Sequence, residues 1–199
     1  MNFWSFRNHF KSFPTISVQE MNKVEPGFNT RNLNNWRRKG LLQKVRNGWY
    51  VLNENGVSEP HRFSISNQIY KPSFISLESA LSWYGLIPEG VFITTAISSR
   101  KTQRFEGDLG VFTYQSLPAC CMVGFQFVES LDWSFKIAKP EKALVDYLHL
   151  HPEYSTLADI ESLRLNPVAM ESLNVELLKI YAGLFENKAL DQRLKLLSI

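Results

Sequence analysis

The sequence predicts an α+β chain in two parts. Residues 1–60 read as a small helical module closed by a β-hairpin, and residues 61–199 as an α+β domain with an antiparallel sheet and a helical tail. Three observations predict this division. Positive charge gathers in residues 1–60, which hold nine Lys/Arg against four acids, a net of +5 that leaves −2 for the rest. Helix start and stop signals fill the first forty residues and end in an Asn-Gly hairpin signal. Strand signals then dominate from Val91 to Ala138, before helical periodicity returns at Pro140.

The elements follow in order. Phe3, Phe6 and Phe10 recur at helical spacing, with Arg7 and Lys11 between them, so residues 2–12 form one amphipathic helix that Pro14 stops. Ser17-Val18-Gln19-Glu20 is a capping box, and Ile16 and Met21 sit at the positions of a hydrophobic staple. This second helix ends before Pro26-Gly27, because the residue preceding proline avoids helical angles. Asn29 caps a third helix, with Phe28 and Leu33 as its staple and Gly40 as its stop. Leu33, Trp36 and Leu41 share its inner side, and Arg31, Asn32, Asn35 and Arg38 point elsewhere. Leu42–Val45 and Trp49–Leu52 are short strands around Arg46-Asn47-Gly48, which suits a type I′ turn. Two helices, a tight turn and a basic hairpin in this order make a winged helix-turn-helix.

Asn53–Lys71 reads as a linker with a short helix near Phe63–Tyr70. Ser76 then caps a helix that carries Glu78 in its first turn and ends at Gly85. Phe92–Ile97, Gln103–Glu106, Val111–Gln115, Cys121–Val128 and Trp133–Ala138 suggest a meander of about four or five strands, with a turn at Gly107-Asp108-Leu109-Gly110. Pro140 opens a helix at its first position, striped by Ala143, Leu144, Tyr147 and Leu148. The tail is helical around Leu157–Leu163, Met170–Leu184 and Ala189–Leu197.

A helix that enters the major groove needs side chains that donate to base edges, Arg to guanine and Asn to adenine. Arg31, Asn32 and Asn35 supply those types. Arg38, Lys39, Lys44 and Arg46 suit phosphate contacts, which position a protein without reading sequence. Double-stranded DNA is therefore the expected partner. Arg37 is expected to turn inward or to pair with an acid.

An enzyme reading finds little. Adjacent Cys120 and Cys121 make neither a structural disulfide nor a zinc pattern. His149 and His151 are two apart and diverge on a helix. Lys142 and Asp146 are four apart and can pair on one helix face, and Glu141 suits a first turn. No phosphate loop or nucleophile elbow is present. No catalytic residue, metal or cofactor is assigned. The N-terminal segment is too short for a signal peptide and no apolar run reaches transmembrane length, so a cytoplasmic protein is expected.

The chain resembles a known family in several places. Arg38-Lys39-Gly40-Leu41-Leu42 and Val45-Arg46-Asn47-Gly48-Trp49-Tyr50-Val51-Leu52 are similar to the recognition-helix end and wing of AbiEi-type antitoxins, the predicted transcriptional regulators of viral defence systems. Phe74-Ile75-Ser76-Leu77-Glu78-Ser79-Ala80-Leu81-Ser82-Trp83-Tyr84-Gly85-Leu86-Ile87-Pro88-Glu89, Gly110–Tyr114 and Ile137–Asp146 agree as well. One departure is the hairpin tip, Asn47-Gly48-Trp49, where family members often carry more basic residues. The resemblance implies a repressor of its own toxin–antitoxin operon joined to an antitoxin domain. It also implies a nucleotidyltransferase-like toxin as functional partner, opposed without a stable complex. The competing expectations are a regulator whose C-terminal domain senses a ligand or partner with no antitoxin role, and an enzyme using Glu78, Glu141 or Asp146.

Overall fold

The computed structural model describes residues 1–54, 56–88, 90, 92–130 and 132–197. Asn55 of the expected linker, Glu89 at the end of the first C-terminal motif, Val91 at the expected start of the strand region, and Leu131, Ser198 and Ile199 lie outside the described residues. The chain is α+β, as its sequence predicts. No described helix is long and apolar enough to cross a membrane.

The N-terminal part opens with α1 (Phe3–Phe10), β1 (Ile16–Ser17), α2 (Val18–Val24) and α3 (Arg31–Arg38), followed by the hairpin strands β2 (Leu42–Arg46) and β3 (Trp49–Leu52). β1 was not legible in the sequence. It pairs antiparallel with β3 and gives a three-stranded sheet in the order β1-β3-β2. The capping box at Ser17 forms in full: the Ser17 hydroxyl accepts from the Glu20 amide at 3.1 Å, and the Ser17 amide donates to Glu20 at 2.6 Å. Ile16 and Met21 of the staple are completely buried. Phe6, Phe10, Phe28, Leu33 and Trp36 close a first apolar cluster.

The hairpin is two-faced. Leu42, Tyr50 and Leu52 pack into that first cluster. Val45, Trp49 and Val51 alternate with them and pack into a second, larger cluster that belongs to the rest of the chain. The turn also differs from expectation. Of the two turn residues only Gly48, at φ +77°, has a left-handed backbone, so the turn is not type I′. Instead the pairing slips between Lys44 and Arg46, and the extra residue of this bulge lets a turn with a single left-handed residue close the hairpin.

The expected linker is mostly a core helix, α4 (Glu59–Ile69), with Phe63, Ile65 and Ile69 buried. β4 (Ser73–Ile75), α5 (Leu77–Trp83), β5 (Thr94–Ser98), β6 (Gln103–Gly107), β7 (Gly110–Ser116), β8 (Phe125–Ser130) and β9 (Trp133–Ala138) follow. Cys121 lies in a single 3-10 turn before β8 rather than in a strand, and both cysteines are free. The sheet is mixed, not antiparallel: its order is β6-β7-β5-β4-β9-β8, with β4 parallel to β9 and β5 parallel to β7. The reason is strand insertion. β6 goes to the outer edge, so β7 returns between it and β5 and runs with β5.

α4 covers one face of this sheet, where the buried Tyr114 hydroxyl donates to the Ser66 carbonyl at 2.8 Å. α5 and α6 (Pro140–Leu150) cover the other. Pro140 opens α6 as expected. Lys142 and Asp146 form the expected pair, but both are completely buried, with the Ser76 hydroxyl donating to Asp146 at 2.9 Å and the rings of Phe74 and Phe185 flanking the ammonium. Ser76 thus braces Asp146 and makes no side-chain cap on α5. Burial pushes the Asp146 carboxyl up, against the pull of Lys142 and Ser76. The tail forms α7 (Leu157–Ser162), α8 (Pro167–Glu171), α9 (Val175–Gly183) and α10 (Lys188–Lys195). The expected Met170–Leu184 helix is divided because Asn174 caps α9 with its side chain, and its own amide donates to the buried Glu141 at 3.0 Å.

Candidate nucleic-acid interface

α3 owes its orientation to aromatic packing. The Trp36 ring lies 4.9 Å from Phe6 and 5.4 Å from Phe3, centroid to centroid. Such pairs favour tilted and edge-on geometries like these. Leu33 and Trp36 therefore face inward, and the opposite side of the helix is fixed toward solvent. The N-cap of α3 is Thr30, which makes no side-chain cap, rather than the expected Asn29; Asn29 lies one residue earlier, where its side chain accepts from the Arg31 amide at 3.0 Å.

The outward face carries Arg31, Asn34, Asn35 and Arg38, all exposed and spaced at three, four and seven residues. Lys39 is exposed just beyond the helix end. Among the described residues, the side chains of Arg31, Arg38 and Lys39 form no ion pair. Asn32 sits at the margin of this face and is half-buried, a turn position away from its centre. Asn34 was missed in the sequence, although its spacing of three from Arg31 placed it on the same face as Asn35.

Arg37 is turned aside, as expected for a residue that pairs with an acid. Its guanidinium grips Asp108 with two bonds, Nε to Oδ2 at 3.0 Å and Nη2 to Oδ1 at 2.8 Å. The same carboxylate accepts from the Lys44 amide at 2.7 Å, and the Asp108 amide donates back to the Lys44 carbonyl at 2.7 Å. The β6–β7 turn is thus clasped to β2. Gly107 makes the approach feasible, because a Cβ there would lie 2.3 Å from the Val45 carbonyl oxygen. Lys44 contributes mainly backbone to this clasp, and its side chain is half-buried.

Arg46 corrects an expectation. It does not extend from the hairpin tip toward a phosphate. Its Nη2 donates to the Ile69 carbonyl at the end of α4 at 2.8 Å, and its guanidinium lies over Phe105 at 4.7 Å and Trp49 at 5.2 Å. Burial depresses its pKa. The hairpin face that carries Arg46 is the one applied to the C-terminal sheet, so the cation is used between the two parts. The structure therefore gathers Arg31, Asn35, Arg38 and Lys39, keeps Asn32 and Lys44 at the margins, and removes Arg46.

The electrostatics of the clasp make a testable case. Partial burial opposes ionisation of Asp108, but the Arg37 guanidinium and the Lys44 amide outweigh it and hold the carboxyl below the usual aspartate value. A depressed folded pKa gives stability that is present above the unfolded value, near 4, and is lost as pH falls through the folded one. Asp108→Asn should cost less than about 1 kcal/mol, since the pair is a third exposed and screened. The gap from the native chain should hold steady near neutral pH and close below about pH 4. Urea melts across that range check it, and a gap that persists in acid would mean that the ion pair contributes nothing.

No protein-family model matches the chain, and no curated protein matches it.

Proposed function

We propose that the chain is a cytoplasmic DNA-binding transcriptional repressor whose N-terminal part acts as a winged helix-turn-helix. The observation that carries this reading is the exposed face of α3, on which two asparagines stand between exposed arginines while the inner face is locked by aromatic packing. Base edges demand such donors, and rigid presentation lowers the cost of docking. The strand order β1-β3-β2 behind three helices supports the same reading. In it, Arg31, Asn34 and Asn35 read bases, and Arg38 and Lys39 hold phosphates. The proposal extends, by resemblance to AbiEi-type antitoxins, to control of a toxin–antitoxin operon and to opposition of a nucleotidyltransferase-like toxin.

The test is a titration of operator and scrambled duplexes at two salt concentrations. Arg38→Ala should weaken binding to both duplexes alike and lower the salt slope by about one phosphate contact. Arg31→Ala and Asn35→Ala should each cost about 1–3 kcal/mol on the operator and less on the scrambled duplex. Arg46→Ala should leave the salt slope unchanged. Equal losses on both duplexes for every variant would overturn base reading, and no binding at low salt would overturn the DNA reading altogether. The antitoxin role is checked separately by co-expressing the full chain, with Arg31 and Arg38 replaced, beside the toxin. Rescue should persist, because operator binding is not what opposes the toxin.

A further inference from the structure

A cavity of about 550 Å³ opens on the α5–α6 face of the large sheet, well inside the range of small-molecule sites. Its floor is Thr113 of β7, which alternates with the α4-facing Tyr114 and so points to this side. Ile93, Tyr147 and Tyr154 supply apolar and aromatic wall, and Phe92 stands at its edge with 89% of its surface exposed. Tyr147 donates to Tyr154, hydroxyl to hydroxyl, at 3.3 Å, which fixes both rings.

Glu78 is the one charged residue among the described residues lining this cavity. Its Oε2 is shielded from solvent and has no hydrogen-bond partner. A shielded carboxylate oxygen without a partner is costly, and among the described residues lining the cavity none is a cation. A ligand that brings its own positive charge would pair with this carboxylate once the partly exposed Glu78 side chain turns its shielded oxygen into the cavity, and would lay its body along the tyrosines, whose faces attract cations.

We propose that this cavity binds an organic cation, a primary amine or guanidine on an aromatic or aliphatic body, with Glu78 as counter-ion. The site is remote in sequence from the α3 face and its occupancy is read without DNA, so this proposal and the DNA reading fail independently.

Calorimetric titration of the full chain tests it with 2-phenylethylamine, hexylamine and phenylguanidine, beside neutral 2-phenylethanol and anionic phenylacetate. At least one of the cations should saturate one site per chain, and the neutral and anionic compounds should bind about tenfold more weakly or worse. Glu78→Gln keeps the shape of the side chain and should cut cation affinity by about tenfold or more, with 2-phenylethanol unaffected. Should that variant fail to fold, methyl NMR of the native chain decides: the cation should shift Ile93 and Thr113 most. The proposal is overturned if no cation saturates at roughly 10 mM, if 2-phenylethanol or phenylacetate binds as well, if Glu78→Gln binds the cation undiminished, or if the shifts fall elsewhere.

Discussion

Lys142→Met should destabilise the chain by about 3–5 kcal/mol, the cost of leaving one member of a buried pair without its partner. Lys142 and Asp146 are completely buried, and the methionine keeps the aliphatic bulk against Phe74 and Phe185 while removing the charge. Asp146 would keep only the Ser76 hydroxyl. Such a loss is a large share of the stability of an ordinary domain. The variant should also acquire a pH dependence of defined sign. Without its counter-ion, Asp146 has a folded pKa well above the unfolded value, so the stability linked to it is present in acid and is lost as pH rises toward neutrality. Urea midpoints between pH 4 and pH 8 measure both effects. The double variant Lys142→Met, Asp146→Leu should recover most of the loss, because apolar replacement of a whole buried pair is close to neutral. A loss below about 1 kcal/mol, or a loss independent of pH, would show that the pair does not hold the core as its burial implies.

Gly107→Ala should be the second most damaging single change, at about 3 kcal/mol, the upper part of the range for overpacking. The added methyl would meet two backbone carbonyl oxygens, those of Val45 at 2.3 Å and Lys44 at 2.4 Å, which cannot rotate away as a side chain does. Relief requires the β6–β7 turn to lift off β2. That lift would also break the Arg37–Asp108 bonds and the Lys44 amide bond to the same carboxylate. Asp108→Asn alone removes charge without steric conflict, so it should cost much less. Denaturant melts of the two variants side by side make the comparison, and equal losses would assign the clasp to charge rather than to close approach.

Local signals were legible in the sequence, and long-range pairing was not. The Ser17 capping box, the Asn-Gly hairpin, the stop at Gly40 and the Pro140 helix start are each set by residues within a few positions of one another. β1 and β4 are two and three residues long, too short to show a period, and exist because β3 offers a partner to the first and β5 and β9 offer partners to the second. The mixed order of the sheet depends on which strand inserts beside β5, and no turn residue records that. Two misplacements had readable signs. Trp49-Tyr50-Val51-Leu52 is apolar at every position, the pattern of a strand covered on both faces, and this was the signal that the hairpin would be sandwiched and Arg46 drawn inward. Asn34 lay one helical turn from Arg31, so counting spacings around α3 rather than picking residue types would have placed it on the outward face.

Val45 and Val51 belong to the β2–β3 hairpin by hydrogen bonding and to the C-terminal core by packing. A chain whose halves share the same buried side chains cannot melt one half and keep the other. Heat should therefore unfold it in a single calorimetric transition, with calorimetric and van't Hoff enthalpies equal, and two resolved peaks would refute that unity. The two parts are one thermodynamic body, so whatever steadies the cavity beside Glu78 also raises the temperature at which α3 comes apart.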